Sequence, residues 1–163
     1  MSPIPVIAFV GRSKSGKTTL LEKLIRELGR RGYRVAAVKH TAHPIEPDAP
    51  GKDTYRFAQA GAVQVILAAP EMTLEEALAG VQDVDLALVE GYKRADVPKI
   101  EVHWSGGAGK QGGGEELVCA EDERFIAIVS DRRFGVGVAE FGVRGVVRVG
   151  GWVVGGCFWW GYG

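Results

Sequence analysis

One stretch near the start of the chain, Gly11-Arg12-Ser13-Lys14-Ser15-Gly16-Lys17-Thr18, restricts the fold more than any other. Its spacing, Gly-x-x-x-x-Gly-Lys-Thr, lets successive backbone N–H groups close into a concave nest for an anion. Gly11 and Gly16 permit backbone angles and a close phosphate approach that a Cβ would block. An apolar run, Val6-Ile7-Ala8-Phe9-Val10, enters the segment, and an amphipathic run from Leu20 to Leu28 leaves it. Strand, glycine loop and helix therefore follow in the order that brings a helix N-terminus, with its partial positive charge, against the phosphate. In this reading Gly11 to Thr18 bind a nucleoside triphosphate. Lys17 reaches the β- and γ-phosphates, and the Thr18 hydroxyl holds Mg²⁺. Arg12 and Lys14 either neutralise phosphate within their own subunit, reach across a dimer, or stay solvated.

The rest of the chain repeats the strand and helix alternation. Leu20, Leu21, Leu24, Ile25 and Leu28 share one helical face, and Gly29 and Gly32 offer stops. Tyr33 to Val38 reads as a second buried strand ending at Lys39-His40. A polar loop with Pro44, Pro47 and Pro50 follows. Asp53 is read as the cap of a short helix through Ala60. Val63 to Ala69 is a third apolar strand, Thr73 to Glu76 a capping box, and Leu86 to Val89 a fourth strand ending at Glu90-Gly91. Ile100 to His103 and Phe125 to Val129 add two more. Apolar strands without alternation are buried on both faces. The expected class is α/β, a three-layer P-loop NTPase-type fold with a mostly parallel sheet flanked by helices.

Residues 1–133 read as this nucleotide-binding domain. Residues 134–163 read as a tail rich in glycine, valine and tryptophan, without clean helical or strand period. Two explanations compete: a glycine-kinked strand pair, or a reading-frame accident replacing an ordinary C-terminal helix. The abrupt break favours the second, and no functional residue is assigned there.

Composition narrows the partners. Lysine plus arginine equals aspartate plus glutamate, so no global basic footprint for nucleic acid exists. No signal-peptide pattern opens the chain, and no apolar run reaches a membrane span. Cys119 and Cys157 make no metal or disulfide pattern. A cytoplasmic setting is the simplest reading.

Glu90 is the second chemical landmark. An acid at the carboxyl end of a buried neighbouring strand meets the metal shell of a P-loop site or positions water. Lys39 and His40 end a strand on the same edge, facing phosphate or a second substrate. His40 with His43 is a weak metal pair without a third ligand. Asp131, after the Phe125 strand, either accepts from a guanine edge or caps a helix; the Asn-Lys-x-Asp guanine motif is absent.

With these residues in hand, the chain resembles the molybdopterin-guanine dinucleotide biosynthesis protein B family. The resemblance rests on Gly11 to Thr18 with Thr19-Leu20-Leu21, and on Val38-Lys39-His40. It rests further on Pro50-Gly51-Lys52-Asp53-Thr54-Tyr55-Arg56 with Ala60-Gly61-Ala62, and on Val89-Glu90-Gly91-Tyr92-Lys93 with Pro98-Lys99-Ile100-Glu101. It covers Ile4 to His103 and Phe125 to Asp131. It implies a GTP-binding, weakly GTPase-active homodimer that assists a guanylyltransferase in attaching GMP to molybdopterin. It further implies that Gly11 to Thr19 hold phosphate, that Glu90 serves Mg²⁺, and that Lys39, His40, Asp53 and Lys93 face substrate or partner. Two other readings stay open: a P-loop small-molecule kinase, although Arg124, Arg132 and Arg133 form no arginine-rich lid, and a nucleotide-binding module without turnover.

Overall fold

The computed structural model describes residues 4–44, 50–105 and 116–156. Seven strands form one sheet: β1 (Val6–Val10), β2 (Val35–His40), β3 (Gln64–Ala68), β4 (Leu86–Glu90), β5 (Lys99–His103), β6 (Phe125–Ser130) and β7 (Ala139–Gly142). Their spatial order is β3-β2-β4-β1-β5-β6-β7, and every neighbouring pair is parallel. Four helices accompany them: α1 (Lys17–Arg30), α2 (Asp53–Gln59), α3 (Leu74–Leu78) and α4 (Val146–Gly155).

The glycine loop leaves the central strand. β1 lies between β4 and β5, so the loop opens where chain connections depart to both sides, the place where open α/β sheets bind ligands. β2 and β4 bring Lys39 and Glu90 to the same carboxyl edge as register partners, and Phe9 of β1 pairs with Glu90.

The two faces are covered unequally. Ile7, Phe9, Val35, Ala37, Leu88, Ile100, Ala127 and Val129 point to the face packed by α1, α2 and α4. Ala8, Val10, Val38, Val89 and Ile128 point to the other. Among the described residues, that second face carries α3 and irregular segments with Tyr92, Ala95, Val97, Leu117, Cys119 and Phe134. The connection from β4 to β5, residues 91–98, crosses β1 without forming a helix. Strand β3 is at the edge and mostly half-buried, unlike the fully buried strand its apolar run suggests.

The helix ends differ in one respect from their sequence reading. Thr73 and Glu76 do form a reciprocal capping box. Asp53 does not cap α2: Lys52 occupies the cap position, and Asp53 is the first helical residue. Its carboxylate turns toward Lys39 instead.

The tail is corrected more substantially. Within residues 134–156 the chain forms a parallel strand, β7, and a helix, α4, where no regular period was expected. The period is present after all, as Val146, Val149, Gly150 and Val153. It is hidden because α4 has no charged residue except Arg148 to mark its outer face. Glycine has a packing reason here. A Cβ on Gly150 would stand 3.2 Å from Glu27 Cγ, so its absence lets α4 lie close against α1. Glu27 holds Arg30 and Arg31, and Arg31 donates to the Val147 carbonyl at 2.9 Å, tying the two helices. Cys157 and the aromatic run Phe158-Trp159-Trp160 lie outside the described residues.

Candidate functional site

The loop takes its shape from three residues with positive φ: Gly11 at 150°, Lys14 at 62° and Gly16 at 90°. Gly11 cannot be replaced easily. A Cβ there would come within 2.3 Å of the Val102 carbonyl oxygen. Gly16 precedes the first turn of α1, so the helix begins at Lys17 with its free N–H groups facing the loop.

Lys17 folds over the loop, donating to the Gly11 carbonyl at 3.1 Å and the Arg12 carbonyl at 2.7 Å. Burial holds its ammonium below the ordinary lysine pKa, with nearby Lys39 adding to the effect and Glu90 opposing it. Ser15 is buried, and its hydroxyl has no partner among the described residues. Arg12, Ser13 and Lys14 are exposed on the rim, as is Thr19 just inside α1.

Glu90 is only 3% exposed and is the hub. Its Oε2 accepts from Thr18 Oγ1 at 2.9 Å, and its Oε1 accepts from Lys39 Nζ at 2.5 Å. Lys39 also pairs with Asp53 at 2.8 Å. Burial lowers the Lys39 pKa, but Glu90 and Asp53 outweigh it and leave the ammonium above its ordinary value. Four sequence-predicted residues, Thr18, Lys39, Asp53 and Glu90, therefore form one connected chain of charge-assisted bonds.

The donor set suits a hard cation. A hydroxyl and a carboxylate oxygen meet beside the glycine loop, and Mg²⁺ is ordinarily held by few protein oxygens, substrate phosphate and water. No group of three His, Cys, Asp or Glu side chains converges among the described residues, so phosphate would have to complete the shell.

The remaining predicted residues are placed as follows. His40 stacks on Tyr92 with centroids 4.0 Å apart, and its Nε2 lies 3.2 Å from the Pro70 carbonyl. His43 shares a turn with Thr41. Next to Glu90, Lys39, Thr41, His43, Lys52 and Asp53 line a cavity of about 620 Å³. Lys93 lines another of about 380 Å³ together with Gly11, Lys17, His40 and Tyr92. Asp131 stands apart from the Glu90 cluster. Its carboxylate accepts from the Ser105 N–H at 3.0 Å and the Ser105 hydroxyl at 2.8 Å, and lies 4.0 Å from His103 Nδ1.

Sequence reasoning left some residues unassigned. Arg56 donates to Glu22 at 2.8 Å and to Thr19 Oγ1 at 3.2 Å, bracing the start of α1 from α2. Lys99 and Glu101 are buried at 2% and 1% exposure and hold the 116–122 segment in place. Lys99 pairs with Asp122 at 2.9 Å, and Glu101 accepts from the Val118 and Cys119 N–H groups at 2.8 and 3.0 Å. The alternation Lys-x-Glu on an otherwise apolar strand was the available signal for a same-face buried pair.

Comparison with known proteins identifies relatives in sequence and fold. The family model described as molybdopterin guanine dinucleotide synthesis protein B matches residues 6–131. The chain is similar to the molybdopterin-guanine dinucleotide biosynthesis adapter protein of Escherichia coli K12, 40% identical over 166 residues, covering 93% of this chain and 92% of that one. It is also similar to the protein of the same name from Haemophilus influenzae, 44% identical over 113 residues, covering 61% and 64% of the two chains. Its fold resembles the crystal structure of a MobB protein homolog from Bacillus stearothermophilus, with TM-score 0.58, 26% identity, and 91% and 94% of the two chains covered.

Proposed function

The chain belongs to the molybdopterin guanine dinucleotide synthesis protein B family, and from that premise we propose that it is a GTP-binding adapter with weak Mg²⁺-dependent GTPase activity. It is an adapter protein of molybdopterin-guanine dinucleotide biosynthesis, a part of molybdenum cofactor assembly. In our reading it assists a guanylyltransferase that attaches GMP to molybdopterin, and works as a homodimer in the cytoplasm. No described helix is long and apolar enough to cross a membrane.

The single observation that carries the nucleotide reading is the bond from Thr18 to Glu90 beside the glycine nest. It unites the phosphate-binding end of α1 with a buried carboxylate at the neighbouring strand edge. Gly11 to Thr19 would cradle the phosphates. Thr18, and Glu90 through water, would hold Mg²⁺, which supplies charge neutralisation for the phosphates. Lys17 would swing from its own loop carbonyls to phosphate oxygen, exchanging two neutral acceptors for a charged one. Lys39 holds the Glu90 carboxylate in place through its hydrogen bond to Oε1. Lys39, His40, Asp53 and Lys93, which line the flanking cavities, would face the second substrate or the partner enzyme.

Thermal unfolding with Mg²⁺ and GTP, ATP or no nucleotide tests this directly. A ligand that binds the folded state raises the midpoint by mass action. GTP is expected to raise it and ATP to do so less. No shift with any triphosphate would overturn the proposal.

A further inference from the structure

The base of a nucleotide held at Gly11–Thr18 must lie within one nucleotide's reach of the loop. The cavity beside Glu90 is walled by Lys39 and Asp53, and that near Lys93 holds Tyr92 with Val10 and Ala95. Neither offers an unstacked aromatic ring over an apolar floor, which a purine needs, because Tyr92 in the second already stacks on His40. A third cavity, of about 380 Å³, does. It begins at Ser15 and Thr19, runs over Val129 and Val143, and is flanked by Trp104 and Arg144. Trp104 is 47% exposed, although a large apolar ring at the end of a buried strand would ordinarily be covered. The unpartnered, buried hydroxyl of Ser15 lines the same cavity. Arg144 is exposed and forms no ion pair or hydrogen bond among the described residues.

The geometry points to this cavity as the purine pocket, with Trp104 stacking on the base and Arg144 selecting guanine. This inference rests on the reading of the glycine loop as a nucleotide site. A guanidinium donates two parallel N–H groups, and guanine presents O6 and N7 as adjacent acceptors. Adenine offers N7 beside an amino donor, so the second N–H would meet a donor. Asp131 is differently placed: its carboxylate is occupied by Ser105. The selecting residue would thus sit in the connection between β7 and α4, in the segment whose composition suggested no role.

Equilibrium binding of GTP, ITP, ATP and tripolyphosphate to the full chain and to Trp104→Ala, Arg144→Ala and Arg144→Lys variants tests the assignment. ITP keeps O6 and N7 but lacks the 2-amino group. The wild type is expected to bind ITP nearly as well as GTP, and ATP more weakly. Trp104→Ala should weaken GTP and ATP alike by about tenfold, leaving tripolyphosphate unchanged. Arg144→Ala should erase the preference for GTP over ATP, and Arg144→Lys, which keeps the charge without the fork, should restore little of it. Unchanged GTP and ATP affinities in the Trp104 and Arg144 variants would overturn the inference while leaving the nucleotide reading intact. ITP binding as poorly as ATP would also overturn it, because recognition would then lie at the 2-amino edge. Absence of binding by wild type to all four ligands would instead refute the nucleotide site itself, and the pocket with it.

Discussion

Thr18 Oγ1 donates to Glu90 Oε2 at 2.9 Å, joining the last residue of the phosphate loop to a strand end 72 residues later. The same carboxylate receives Lys39 on its other oxygen. Glu90 is therefore anchored at both oxygens, and its geometry is set by the sheet rather than by a loop.

Lys17→Ala should separate binding from folding. Among the described residues its ammonium bonds to carbonyls of its own loop, so the melting temperature without ligand should change little. Loss of a charged hydrogen bond to phosphate should cost on the order of 2 kcal/mol of GTP affinity. Calorimetric titration with GTP reads the effect, and an unaltered affinity would remove Lys17 from the phosphate site.

Glu90→Gln keeps the shape of the residue and removes its charge. GTP should still bind. Mg²⁺-dependent phosphate release should fall by at least about tenfold, because the amide serves a cation shell poorly. Phosphate release at saturating GTP measures it, and full activity would leave Glu90 with only its structural bonds.

Acid sensitivity should trace in part to Asp122. The hydrogen bond from Lys99 holds its carboxyl below the ordinary aspartate range. A depressed carboxyl stabilises the fold above its unfolded pKa, about 3.9, and that contribution fades as pH falls through the lower folded value. Asp122→Asn should be less stable than wild type at pH 6, and the gap should narrow on acidification below pH 4. Urea unfolding at several pH values tests this, and a gap independent of pH would refute it.

Glu101 makes a prediction about a thiol. Burial, followed by the Glu101 carboxylate, pushes the Cys119 thiol well above its ordinary pKa. In a Cys157→Ser background, Cys119 should resist Ellman's reagent until the protein unfolds. Glu101→Ala would orphan the Val118 and Cys119 N–H groups, at a cost on the order of 3 kcal/mol. Cys119 should then react in native buffer. Equal protection in both proteins would show that burial alone shields it.

The parts legible in the sequence are those where one local pattern decides the outcome. Gly11 to Thr18 between Val6–Val10 and Leu20–Leu28 fixed the central strand, the loop and α1 together. Glu90 was legible because an acid ending an apolar strand has little structural reason to be there. The misplacements arise where tertiary partners override local chemistry. Asp53 is a good cap by type, yet it stands as the first helical residue and its carboxylate pairs with Lys39 instead of capping α2. The α4 segment was opaque because a helix packed through glycines shows neither strong helix formers nor a polar stripe. Trp104 and Arg144 come together only through the β5, β6, β7 order of the sheet, which no sequence spacing reveals.

The tie between α1 and α4 also carries a lesson about timing. A nascent chain that has emerged as far as Asp131 already contains the whole glycine loop, Lys39 and Glu90. Yet the Leu24 and Leu28 flank of the loop's own helix stays bare until Val149 and Val153 arrive to cover it. Recognition is written early in the chain, and its foundation is laid last, so synthesis must run far beyond the signature before the signature can be firmly held.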